Sequence, residues 1–118
     1  MSKRVGCSLN YILTAPQDLP VPKLLSGPEI EERLKRLSGW RRDGRFISKV
    51  FKFETFMDGM DFIKRVAEVA EREEHHPDIH IRYATVRLSI QTHSEGGVTR
   101  WDFDLAKSVE RMLTHSAN

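Results

Sequence analysis

Cysteine is nearly missing from this chain: Cys7 is the only one in 118 residues. An internal disulfide is therefore excluded. No Cys-x-x-Cys pair exists to hold zinc or exchange electrons, and a reducing compartment is the natural setting. Long apolar runs are missing too. No stretch approaches the roughly 20 residues that cross a bilayer, and the first fifteen residues lack the apolar centre of a secretory signal. The expectation is a cytosolic protein with no membrane partner, the nucleus being left open. A basic stripe is also lacking. Nineteen Lys and Arg face seventeen Asp and Glu, for a net charge of +2. The two signs are interleaved, as in Glu31-Glu32-Arg33 and Glu71-Arg72-Glu73-Glu74. Nothing in that pattern favours a nucleic-acid partner. Internal repeats and low-complexity segments are absent.

What is present fits one soluble domain: 39% hydrophobic and 31% charged residues. Residues 1–23 read as an extended arm. It carries Pro16, Pro20 and Pro22, which fix φ and bias their predecessors away from helix, and it has a short strand signal at Tyr11–Leu13. The domain proper is expected at 24–118. Ser26-Gly27-Pro28-Glu29 is a helix start with a capping box, Ile30, Leu34 and Leu37 give its buried stripe, and Ser38-Gly39 marks its end. Asp43-Gly44 signals a hairpin through a type I′ turn. The return strand, Arg45–Phe53, has bulky apolar groups on both faces. That suggests a second face covered by another subunit.

Thr55-Phe-Met-Asp58 opens a second helix that runs to about Glu74. Met60, Phe62, Ile63, Val66, Ala67, Val69 and Ala70 form its apolar face, and Gly59 is either a weak spot or a close contact. Pro77 disfavours helix at His76, so the helix ends at Glu74–His75. Two strands follow. Their apolar parity flips between Tyr83 and Val86, which requires a turn or bulge near Ala84-Thr85. His93 ends the second strand on its polar side. Thr99-Arg-Trp-Asp102 caps a last helix with Leu105, Ala106, Val109, Met112 and Leu113 inward. The order is helix, two strands, helix, two strands, helix. It suits an α+β domain with a four-stranded antiparallel sheet and three helices on one face.

The chemistry concentrates between Glu71 and Asp102. His75-His76 at a helix end and His93 at a strand end offer imidazoles, whose ordinary pKa lies nearest neutrality. Each also has a plainer reading, as a polar helix terminus or a surface residue. Asp102 is a capping residue by spacing, and an aspartate there can also orient an imidazole. A metal is not expected. His75, His76, His80, His93 and Glu71 could supply ligands, but adjacent histidines diverge and no His-Glu-x-x-His is present. No serine sits in a nucleophile elbow. Trp40 and Trp101 read as core residues, or as a flat wall for an aromatic heterocycle.

The spacing Glu71, His75-His76-Pro77, Tyr83, His93, Asp102 resembles the signature of the pterin-4a-carbinolamine dehydratases. Thr92-His93-Ser-Glu-Gly-Gly-Val-Thr-Arg-Trp-Asp102 is similar to the segment that closes it, and Gly39-Trp40 also looks like the family. The resemblance covers roughly Leu24 to Leu113. It implies a hydro-lyase that eliminates water from 4a-hydroxytetrahydrobiopterin to give a quinonoid dihydropterin, recycling the pterin of aromatic amino acid hydroxylases. Pterin is the substrate, so no cofactor is implied. A homodimer or homotetramer with sheets joined at an edge is implied, with a hydroxylase as functional partner. His75 and His93 become the acid–base pair. His76 becomes a hydrogen-bonding partner of pterin or hydroxyl, and Asp102 a group that orients a histidine. Glu71, Glu74, Pro77, Thr92, Ser94, Glu95 and Trp40 become substrate-binding residues. The chain departs from some relatives at Glu95, where they carry cysteine, and at Ile79, where they carry an aromatic residue. The alternative that the resemblance brings is a protein-interaction module, a dimerisation cofactor of a transcription factor.

Overall fold

The computed structural model describes residues 21–116, and side chains as far as Thr114. The expected arm and its strand at Tyr11–Leu13 lie almost wholly outside the described residues. The elements are α1 (Gly27–Leu34), β1 (Arg41–Asp43), β2 (Phe46–Lys52), α2 (Phe56–Glu73), β3 (Asp78–Arg82), β4 (Thr85–Ile90), a single 3₁₀ turn at His93–Glu95, and α3 (Arg100–Ser116). The strands form one antiparallel sheet in the order β1-β2-β4-β3. This is the α+β arrangement expected from the sequence.

Helix α1 starts with the full capping box. The Ser26 hydroxyl accepts from the Glu29 N–H, and the Glu29 carboxylate accepts from the Ser26 N–H at 2.7 Å. The Ser26 N–H foremost, and then the Ser26 side chain, hold the Glu29 carboxyl below its ordinary range. The helix stops at Leu34, earlier than Ser38-Gly39. Beyond it the chain tightens into i→i+3 turns, Arg36 N–H to Arg33 O and Leu37 N–H to Leu34 O. That tightening still delivers Leu37 and Trp40 to the core.

The hairpin is real but its turn differs from expectation. Asp43 pairs with Phe46, so Gly44 and Arg45 form the loop. Only Gly44 has positive φ (63°), the φ pattern of a II′ turn and not of I′. A second two-residue loop, Tyr83–Ala84, joins β3 to β4, and Tyr83 has φ 52°. That loop is what flips the apolar parity.

The core lies between the helices and one sheet face. Ile47 and Phe51 of β2, with Val86, Leu88 and Ile90 of β4, point inward. Phe62, Val66 and Val69 of α2 meet them, as do Phe103, Leu105, Ala106 and Val109 of α3. Each fully buried aliphatic side chain contributes about 1.5–3 kcal/mol. Two expected core residues are largely outside: Met60 is 38% exposed and Ala67 is exposed. Phe103 and Val98, outside the expected stripes, are inside: Phe103 is wholly buried, with the Arg33 guanidinium 5.9 Å from its ring centre, and Val98 is 3% exposed. The other sheet face carries Val50, Lys52, His80, Arg82 and Arg87, all exposed.

Candidate active site

Three chain ends converge: the carboxyl end of α2, the end of β4 and the amino end of α3. Helix α2 finishes with Glu74 in the left-handed conformation (φ 57°). The N–H of His75 bonds Ala70 O and that of Glu74 bonds Glu71 O, the paired bonds of a Schellman ending. This closure turns His75 back toward α3, and Pro77 then releases the chain into β3.

Asp102 is the centre of the arrangement. It is wholly buried. Its Oδ1 meets His75 Nε2 at 2.6 Å. Its Oδ2 accepts from the Thr99 N–H at 2.7 Å and from the Thr92 hydroxyl at 2.9 Å. The bond to Thr99 N–H is the capping interaction that the spacing implied. Capping and histidine orientation thus coexist in one carboxylate. A buried carboxylate would be costly without such donors; here donors meet both oxygens. His75 keeps only 14% of its side chain exposed, and the Trp101 ring meets it in a T-shaped contact, centroids 6.1 Å apart and planes at 67°.

The other two histidines are open to solvent. His76 bonds Glu71 through Nε2 at 2.7 Å. His93 follows Thr92 directly, and its Nδ1 lies 3.4 Å from the Gln91 amide nitrogen. His93 does not end the strand as expected: β4 stops at Ile90 and His93 opens the 3₁₀ turn, and because Thr92 is bonded to Asp102 the start of that turn is tied to the carboxylate that holds His75. Glu74 and Ser94 are exposed, Glu95 and Pro77 half-buried, and Ser94 donates to Glu95.

Two residues expected to bind substrate stand elsewhere. Thr92 is 3% exposed and faces inward, behind Asp102. Trp40 is buried against Phe51, and its indole N–H donates to Glu110 at 2.8 Å. Glu110 lies eight residues along α3 from Asp102, about 12 Å by helical rise. The tryptophan beside the histidine is Trp101. Sequence reading did not connect Gln91 with His93, and no local pattern marks it. Its Oε1 is buried without a partner. Among the described residues, no three His, Cys, Asp or Glu side chains converge to hold a metal ion.

Residues 23–112 match the model of the family described as pterin 4 alpha carbinolamine dehydratase. The chain belongs to this family. Among its dehydratase relatives is one from Mycolicibacterium smegmatis, 42% identical over 91 residues, covering 77% of this chain and 97% of that protein. Another, from Acidobacterium capsulatum, is 48% identical over 89 residues, covering 75% and 97%. The names of both, as pterin-4-alpha-carbinolamine dehydratases, are themselves provisional. A solved structure from Brucella melitensis, described as a transcriptional coactivator/pterin dehydratase, superposes with a TM-score of 0.71 at 36% identity, covering 75% of this chain and 97% of that one. A pterin dehydratase-like RuBisCO assembly factor of the alpha-carboxysome superposes at 0.54 with 20% identity, covering 62% and 87%. At that identity the likeness concerns the fold alone. No helix among the described residues of this dehydratase-family chain is long and apolar enough to cross a membrane.

Proposed function

We propose that the protein is a hydro-lyase that removes water from a 4a-hydroxytetrahydropterin and leaves the quinonoid dihydropterin. The elimination takes a proton from N5 and gives one to the hydroxyl leaving C4a. The two transfers balance as one water. His75 and His93 are the acid–base pair, and His76, held by Glu71, hydrogen-bonds the pterin or its hydroxyl. Positioned acid–base groups contribute about 10²–10⁴-fold each. Asp102 orients His75. Glu74, Pro77, Ser94 and Glu95 line the approach, with Trp101 as the aromatic wall. The pterin is consumed as substrate and no metal takes part. The observation that carries this reading is the His75–Asp102 pair at 2.6 Å, tied through Thr92 to the turn that bears His93, in a chain of this family.

The physiological role that follows is pterin recycling beside an aromatic amino acid hydroxylase, in the cytosol, by a homodimer or homotetramer. Stopped-flow measurement of carbinolamine loss tests the chemistry. His75→Ala and His93→Ala should each slow dehydration at least tenfold with the fold intact. Wild-type rates in both variants would overturn the assignment. A second reading has the Brucella relative's description in its favour: an interaction module acting on a transcription factor. Capture of such a partner, with no acceleration of dehydration by the wild type, would select it.

A further inference from the structure

The hydrogen bonds behind His75 have a direction that can be worked out donor by donor. The Thr99 backbone N–H can only donate, and it donates to Asp102 Oδ2. The Thr92 hydroxyl has one proton, and it also goes to Oδ2. Thr92 Oγ1 lies 2.7 Å from Thr99 Oγ1. Since the Thr92 proton is already committed, Thr99 is the donor of that pair. Thr99 Oγ1 in turn accepts from the Trp101 N–H at 3.2 Å. The run is one-way: Trp101 N–H to Thr99, Thr99 to Thr92, Thr92 to Asp102. All three side chains are buried, between 0% and 3% exposed, so water does not compete.

With two donors fixed on Oδ2, a proton there would have no acceptor. The group is set up as an anion whose Oδ1 accepts from His75. Nε2 of His75 therefore carries the ring proton, and Nδ1 carries the lone pair. Among the described residues Nδ1 of His75 has no hydrogen-bond partner. Among the described residues the buried side-chain polar atom without a partner is Gln91 Oε1, so Nδ1 is reached by solvent.

We infer that the Thr92–Thr99 hydroxyl pair is a positioning device that holds the Asp102 carboxylate by one oxygen with the other aimed at His75 Nε2, and so presents Nδ1 of His75 as the proton-exchanging atom. Thr92 and Thr99 touch no substrate in this account; they act through Asp102. The inference rests on the dehydratase reading only where it names the substrate's proton. The tautomer it assigns is a property of the free protein.

The test is long-range nitrogen-15 correlation spectroscopy of the labelled full-length protein, at a pH where His75 is neutral, with the His75 signals assigned by their loss in His75→Gln. The expected wild-type pattern is Nε2 protonated and Nδ1 bare. In Asp102→Asn, with the amide NH₂ turned toward the ring, the pattern should invert. Thr92→Val should lower kcat about tenfold, the scale of one hydrogen bond, with KM within about twofold. Thr92→Ser, which keeps the hydroxyl, should restore kcat. A wild-type His75 protonated on Nδ1 overturns the inference, and so does a folded Thr92→Val with wild-type kcat. If Thr92→Val does not fold, Thr92→Ala is read in its place by the same kcat and KM comparison, and a folded Thr92→Ala with wild-type kcat overturns the inference. A wild type that does not dehydrate carbinolamine leaves the tautomer assignment standing and overturns the proposed function instead.

Discussion

At Asp102 a helix cap and a histidine partner share one carboxylate. Its removal should therefore cost stability as well as activity. Asp102→Ala leaves the Thr99 N–H, the Thr92 hydroxyl and His75 without their acceptor, and should destabilise the fold by about 2–4 kcal/mol in urea unfolding. Asp102→Asn keeps the shape and should lose activity out of proportion to stability. The cap was legible in the sequence because Thr99 and Asp102 stand three apart before an apolar stripe. The contact with His75 was not, since it joins residues 27 apart in the chain. Thr92 was misplaced for a different reason. A motif gives its neighbours one role, while the chain leaving β4 turns Thr92 inward and leaves His93 exposed in the 3₁₀ turn. Trp40, in turn, packs on Phe51 and bonds Glu110, contacts with residues distant in the chain that no local motif marks.

At the scale of elements, two backbone positions make contrasting predictions. Gly59 sits inside α2, and a methyl there would meet Ile81, Val86 and Phe53 at 3.4–3.8 Å, ordinary contact distances. Gly59→Ala should stabilise the protein by about 1 kcal/mol through helix propensity, read as a raised Tm. Glu74 is a non-glycine residue in left-handed conformation, the position that glycine usually fills. Glu74→Gly should leave stability equal or raise it by about 0.5 kcal/mol, while turnover falls if the carboxylate meets pterin. Helix α1 adds a pH-dependent contribution. The Glu29 carboxyl is lowered from 4.5 on folding, so its stabilisation is present above that value and fades as pH falls through the lower folded one. The stability gap between wild type and Glu29→Gln should close in acid, by denaturant unfolding at stepped pH. Element type and order were readable from apolar period and caps. Ends were less so: α1 stops early because a tight i→i+3 run can still deliver Leu37 inward.

At the scale of the molecule, the sheet order β1-β2-β4-β3 brings the end of β4 beside the start of β3, next to the two helix ends that hold His75 and Asp102. Among the described residues, four antiparallel strands with the helices packed on one face leave the other face uncovered, and Val50 is 46% exposed there. The two-faced strand was visible in the sequence as apolar residues of both parities. The expectation from the sequence is that a second copy covers those outer residues. If a second copy does, light scattering should give at least twice the 13.7 kDa chain mass, and a monomer at all concentrations would contradict the oligomer. The central claim is that imidazoles 75 and 93 bracket one flat bicyclic ring. A crystal structure of the protein with a bound dihydropterin tests it most directly. The account predicts the ring between His93 and Nδ1 of His75, within hydrogen-bond reach of both. A ring seated elsewhere, with those two imidazoles unengaged in every subunit and across every interface, would contradict it.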